Sequence, residues 1–328
     1  MIEAALSAAR RDHAARLDAL RTSGTAIALV ALLAFNGFFT SGFFTVQTLN
    51  INITQVAPIV IVAVGMALVI ATGGIDLSVG ASASIAGTLA AVLLSQTSGP
   101  LADPGVATGA ALTLPLLAAA LAGSVNGLLV ARYGIQPIVA TLILFIAGRG
   151  VAEMFTDSNL RNFTNAGFTA IGGNLMGLPV QGLFMLIVVA ASAWVVRRTI
   201  FGRHLLALGG NVRAAHLSGV AVRRLKLLVY VVCAILAGVA GLLNVAINSA
   251  ADPAKIGLGI ELDAIAAVAV GGTPLSGGRA RIGGTLLGAV AIQLLEYSLL
   301  AHGVADEWAL IAKAAVVLLA VYLQRREA

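Results

Sequence analysis

The chain has 328 residues, 59% of them hydrophobic and 10% charged, with a mean hydropathy of +0.99. Soluble domains carry about 25% charged residues, so this composition excludes a water-soluble globular protein and points to a bilayer. The net charge of +6 comes from 17 arginines and 3 lysines gathered in a few polar segments, a pattern of membrane-topology signals rather than of a nucleic-acid face.

The segment MIEAALSAARRDHAARLDALR spreads its charges over twenty residues before any apolar core, unlike a signal peptide, and residues 1–23 read as a cytoplasmic tail. A spanning helix takes about 20 mostly apolar residues. Ten such segments are read at 24–44, 53–72, 79–96, 106–131, 135–155, 179–196, 227–248, 260–272, 282–300 and 307–323, the eighth too short to cross alone. They form one transmembrane domain, 24–323, with a polar connection at 197–226 and a C-terminal tail at 324–328. The fold class expected is all-α: a polytopic membrane protein of about ten transmembrane helices, some interrupted. Cys233 is the single cysteine, so no intrachain disulfide forms.

Arginines test this count. Arg10, Arg11, Arg16 and Arg21 precede the first span, Arg132 follows the fourth, Arg279 and Arg281 follow the eighth, and Arg325 and Arg326 follow the last. The 197–226 connection alone holds Arg197, Arg198, Arg203, Arg213, Arg223, Arg224 and Lys226, whereas the alternate connections contain only Arg161 and Lys255. Positive residues favour the cytoplasmic side, so ten spans with both termini in the cytoplasm are expected.

The chain also repeats itself. GGIDLSVGASASIAGTL (73–89) recurs as GGTPLSGGRARIGGTL (271–286), with one residue deleted and Pro274 in place of Asp76. Internal repeats with interrupted helices mark transporters whose substrate route runs where the repeats meet. Asp76 is the conspicuous acid. As a helix cap it would accept from the free N–H groups of Ser78 or Val79; a direct place in the substrate route and an ion site stand beside that reading.

Other polar residues inside spans are costly and therefore candidates. Asn126, Asn244 and Asn248 either line a substrate path or bond to neighbouring helices, and Asn244 and Asn248 share a helix face at i, i+4. Arg149 and Glu153, also i, i+4, read as an ion pair or as a contact to substrate or partner. Glu261 and Asp263 open span eight, where capping accounts for acids. Gly123, Gly127, Gly238 and Gly241 read as positions of close helix packing. No metal-ligand spacing, nucleophile elbow or phosphate-binding G-x-x-x-x-G-K-[ST] loop occurs, so no catalytic residues, metal or cofactor are expected.

Within RRTIFGRHLLALGGNVRAAHLSGVAVRRLK (197–226), NVRAAHLSGV reads as a short helix with Asn211 as N-cap and Gly219 ending it. A surface this small in side chain suits a cleft on another protein; an interfacial helix held by arginines on anionic lipid is the plainer alternative. Ala214-Ala215 followed by Gly219 resembles the EAA-type coupling loop of ABC-importer permeases, without the glutamate of that name. With GGIDLSVG and ELDAIAAVAVGGTPLSGGRARIGGTLLGA, the stretch from about residue 50 to 323 resembles the permease family of ribose, xylose and galactose ABC importers. The segment IQPIVATLILFIAGRGVAEM (135–154) is most similar to galactofuranose-type members, and Pro274 departs from the serine many members carry.

The resemblance implies a bacterial inner-membrane subunit that moves a monosaccharide into the cytoplasm. Its partners would be ATP-binding subunits, a periplasmic sugar-binding protein and a second permease copy or paralogue, with ATP held by the partner and no nucleic acid involved. It implies that Arg203, Gly209, Gly210, Asn211, Ala214, Ala215, Ser218 and Gly219 couple to the ATPase, and that Asp76, Asn126, Arg149, Asn244 and Asn248 are the path candidates. The competing class is an ion-coupled secondary transporter with Asp76 as its ion site. It would have acids at matched positions of both repeats, and Pro274 counts against it. A scaffold without transport activity would leave the repeat and the polar span residues without a purpose.

Overall fold

A computed structural model describes residues 24–96 and 98–325. The tail read at 1–23 and the last residues, 326–328, lie outside the described residues. The chain is almost wholly helical. In order come α1 (Gly24–Phe39), α2 (Val46–Ala71), α3 (Val79–Leu94), α4 (Pro104–Ala131), α5 (Pro137–Thr156) and the short α6 (Ala166–Thr169). There follow α7 (Val180–Arg198), α8 (Ile200–Gly210), α9 (Val212–Leu217), α10 (Val222–Asn248), α11 (Ile260–Val270), α12 (Ile282–Ala301) and α13 (Asp306–Arg325). Each of the ten expected spans corresponds to one helix. Among the described residues, six helices (α2, α4, α5, α7, α10 and α12) are long and apolar enough to cross a membrane by themselves.

The order of burial follows from the sequence of α2. From Val56 to Ala71 it is apolar on every side, and each of those residues except Ile59 is buried, as expected for a helix with no polar face. Helices α10, α11, α12 and α7 pack around it, α3 and α4 lie against α10 and against each other, and α13 lies outside α11 and α12. The outer helices turn leucine, isoleucine and valine outward, among them Leu114, Leu117, Leu121, Ile143, Ile146 and Ile187. In water such a surface would be an aggregation hazard; against lipid it is the only tolerable one. Close contact inside the bundle needs small residues. A Cβ at Gly241 on α10 would overlap the carbonyl of Ala83 on α3, so these two helices meet backbone to backbone.

Two spans are interrupted. At about 1.5 Å per residue, 16 residues of α3 and 11 of α11 fall short of a hydrocarbon core of about 30 Å. Irregular backbone completes their paths. The segment 249–259, leading into α11, folds back onto α3: Ser84 Oγ donates to Pro253 O at 3.2 Å, and Arg149 Nη2 donates to Gly257 O at 3.0 Å. Non-helical backbone at such depth is tolerated where it is buried in protein or lines a cavity.

The connection between α5 and α7 is built rather than irregular. Arg161–Asn162 (β1) pairs antiparallel with Ala250–Ala251 (β4), while Asn174–Leu175 (β2) and Leu178–Pro179 (β3) form a hairpin whose tip, Met176, is exposed. Asn165 holds this cap to α4, donating to Pro104 O and accepting from Thr108 Oγ1. It closes the end of the bundle opposite α8 and α9, since α7 runs from one to the other.

Candidate translocation site

The two copies of the repeated motif form the elbows α2–α3 and α11–α12. In the first, Asp76 Oδ1 accepts from Ser78 N at 2.9 Å and from Ser78 Oγ at 2.6 Å, and Ser78 Oγ accepts from Asn126 Nδ2 of α4 at 2.7 Å. The bond from Ser78 N is one of the two that a cap would accept, and α3 begins at the next residue. In the second copy, where Pro274 replaces the acid, Thr273 Oγ1 accepts from Arg281 N at 3.0 Å and ties the longer elbow to the start of α12. A hydroxyl thus does there what a carboxylate does in the first. The copies also differ in phase: the first has its left-handed glycine at Gly73, whereas the second has one at Gly272, one aligned position later, and two more at Gly277 and Gly278.

The elbows meet each other at the arginine-rich end. Gly278 N donates to Ala71 O at 3.0 Å. A Cβ at Gly209, near the end of α8, would overlap both the Ala71 carbonyl and the Gly278 amide, and one at Gly277 would lie 2.9 Å from Gly73 N. Beyond this junction α9 stands clear of the bundle. Asn211 caps it, accepting from Ala214 N at 3.0 Å, and Gly219 ends it at φ +83°. Arg203, Gly210, Asn211, Ala214, Ser218 and Gly219 are exposed, as is Leu217; Ala215 is buried with Leu208, Val220 and Leu225, which anchor the helix. Of the residues implied to couple outward, Gly209 and Ala215 therefore face inward.

Near the other end lies a polar cavity of about 920 Å³ between α2, α10, α11 and α12. Gln47, Asn50, Thr54 and Gln55 of α2 face Asn244 and Asn248 of α10 and Gln293 of α12 across it, and Lys255, Gly257 and Leu258 of the folded-back segment complete the wall. Gln293 Nε2 donates to Gln55 Oε1 at 2.8 Å, and Asn248 Nδ2 to Asn244 O at 2.8 Å. Asp263 and Glu296 line one side, both bound from behind by Lys313 of α13, whose Nζ lies 3.0 Å from Asp263 Oδ1 and 2.7 Å from Glu296 Oε2.

The structure divides the five path candidates. Asn244 and Asn248 line the cavity; Asp76 and Asn126 do not, being buried together at the first elbow; Arg149 stands one layer back, holding Gly257. The ion pair read between Arg149 and Glu153 is not formed, because the guanidinium reaches a backbone carbonyl instead. Glu261 and Asp263 stand in the first turn of α11, as read from the sequence, although neither caps it through a side-chain hydrogen bond, and Asp263 also meets Lys313. Sequence reading missed Gln47 and Asn50, because the span was begun at Ile53 while the helix begins at Val46, and it passed over Gln55 inside that span. Their near-helical spacing, with Thr54, was the available signal. Gln293 and the Asp263–Glu296–Lys313 group carry no local pattern, since three different helices supply the charges.

A bundle of interrupted apolar helices that encloses an amide-lined cavity, with a short helix presented at one end, defines a membrane permease. The family described as the permease component of branched-chain amino acid transport systems matches residues 48–321, and the chain belongs to it. It is 40% identical to the ribose import permease of Escherichia coli K12 over 309 residues, 92% of each chain. It is 39% identical to the galactofuranose transporter permease of the same strain over 83% of this chain and 78% of that one. To that strain's galactose/methyl galactoside import permease it is 32% identical over 94% and 95%. No solved structure matches. The ion-coupled reading has no support among these relatives.

Proposed function

We propose that this chain is the permease subunit of an ATP-driven importer that moves a neutral monosaccharide across the bacterial inner membrane, with both termini in the cytoplasm. The observation that carries the reading is the amide lining of the cavity. Amide side chains both donate to and accept from hydroxyls, which suits a polyhydroxylated solute. An amino acid, the substrate in the family's description, would need charged groups free to meet its ammonium and its carboxylate. Asp263 and Glu296 are already bound by Lys313, and Lys255 lies 3.7 Å from Asp252 at the mouth. The relatives for ribose, galactofuranose and galactose support the same choice.

The chain supplies a path and no catalytic group. ATP binds and is hydrolysed on partner subunits, which receive α9, while a sugar-binding protein delivers substrate at the capped end and a second permease copy or paralogue completes the pore. Movement of α9 reaches both elbows through the junction of Gly209, Ala71 and Gly278 and re-aims α3 and α12 about the cavity. Reconstitution with the partner ATPase and binding protein tests this. Uptake of a labelled monosaccharide is expected only with ATP on the side that exposes α9, and is expected to survive collapse of ion gradients. Uptake by the chain alone under an ion gradient would overturn it.

A further inference from the structure

The first elbow contains a group of polar atoms that sugar passage does not use. Asp76, Ser78 and Asn126 are each fully buried, and Tyr230 of α10 is 1% exposed. The phenol rests on the elbow itself: a Cβ at Gly74, two residues before Asp76, would lie 2.5 Å from Tyr230 Oη. Gly123, one turn before Asn126, brings α4 onto the same part of α10, where a Cβ would lie 2.7 Å from Tyr230 O. Asp76, Ser78 and Asn126 are thus joined by hydrogen bonds, and the Tyr230 phenol lies against the same elbow at Gly74.

Their hydrogen bonds run in one direction. Ser78 has a single hydroxyl proton, and the carboxylate beside it only accepts, so that proton goes to Asp76 Oδ1. Ser78 Oγ must then receive the N–H of Asn126, which fixes the orientation of the amide and turns its carbonyl oxygen away. Three buried atoms end without a partner: Asp76 Oδ2, Asn126 Oδ1 and Tyr230 Oη. Two of them only accept, and the third can donate.

We infer that this cluster is a binding site for one structural water molecule, shared by Asp76 Oδ2, Asn126 Oδ1 and Tyr230 Oη. A water has two protons to give and accepts in return. It donates to the carboxylate and to the amide oxygen and accepts from the phenol, so all three groups are satisfied together. Buried waters make about three such bonds to otherwise unsatisfied groups. A direct bond from Tyr230 to Asp76 would leave the Asn126 oxygen alone. A metal cation would meet one carboxylate and two neutral oxygens, too few for the hard cations that bind oxygen. The water fastens the first elbow to α4 and α10 at once; the second elbow, which has proline and threonine there, has no counterpart.

The full chain in its assembly, in lipid nanodiscs, tests this at a resolution where ordered water is visible. A peak is expected within about 2.6–3.2 Å of all three atoms. Clear density for the three side chains without a peak, or a direct Tyr230–Asp76 bond, would overturn the inference. A second measurement needs no map. Brief hydroxyl-radical labelling in H₂¹⁸O is expected to oxidise Tyr230 several-fold more slowly in Asn126→Leu, which removes one partner of the water, than in the parent, with Phe168 as the buried internal reference. An unchanged Tyr230-to-Phe168 ratio in a folded Asn126→Leu variant would overturn the site.

Discussion

Gly278 donates its backbone N–H to the carbonyl of Ala71 at 3.0 Å, and this bond joins the two copies of the repeated motif to each other. Ala71 is the last residue of α2, and Gly278 lies in the elbow between α11 and α12. Gly209 closes over the same pair. One backbone junction therefore contains the end of the central helix, the second elbow and the helix that leads into α9. A displacement of α9 has a short, stiff route to both interrupted spans.

Gly209→Ala is expected to force that junction apart. Its methyl has no space beside Ala71 and Gly278, and overpacking of this kind costs about 1–3 kcal/mol. Gly210→Ala meets nothing within 4 Å, and stays within about 0.5 kcal/mol of the parent. Thermal unfolding followed by fluorescence-detected size exclusion separates the two; equal loss from both would remove the junction as the cause.

At the first elbow, Asp76→Asn keeps an acceptor for Ser78 N and Oγ and is expected to fold in near-normal amount. Asp76→Ala leaves both donors buried and unpaired, at roughly 1–3 kcal/mol for each, and is expected to lower the yield of folded protein several-fold. If both variants fold normally while transport stops, Asp76 acts on substrate.

Lys313 is expected to hold α13 against the bundle. Its side chain is 12% exposed, and its ammonium serves two acids, from α11 and α12. Lys313→Met leaves those acids facing each other and is expected to destabilise by about 3 kcal/mol, the scale for breaking a buried pair. Adding Glu296→Gln removes one of the two stranded charges and is expected to restore part of the loss. No recovery in the double variant would mean that packing, not charge, is what Lys313 supplies.

Substitutions in the cavity are expected to act on transport rather than folding. Gln293→Leu removes the bond to Gln55 and a hydroxyl partner; losing one hydrogen bond at about 1–1.5 kcal/mol corresponds to about a tenfold fall in uptake. ATP hydrolysis by the assembly without sugar should be unchanged. A parallel fall in folded protein would assign Gln293 to helix packing instead.

Sidedness is open to a direct measurement, because the single native thiol, Cys233, is buried. Leu217→Cys on α9 and Met176→Cys at the hairpin tip place thiols at exposed positions of opposite ends. In oriented membranes an impermeant maleimide should label position 176 from the outside and position 217 only from the inside. Labelling of both from one side would contradict the topology drawn from the arginines.

The sequence by itself determined the lipid-facing class, ten helical segments, the repeat and the short capped helix at Asn211. All of these rest on local chemistry: runs of apolar residues, an acceptor side chain at a helix start, glycine where φ turns positive. The ends of the helices were legible less well. Polar Gln47 and Asn50 look like loop in one dimension, yet they continue α2 because the cavity, not lipid, receives them. Only the tertiary structure decided which polar residues share a site. Asn244 and Asn248 face amides that come from α2 and α12; Asp76 and Asn126, equally plausible as a path, are sealed at an elbow. Asp263, an acid of its helix's first turn, is met there by a lysine fifty residues away. A chain position fixes what a side chain can do, and the packing of distant helices fixes what it meets.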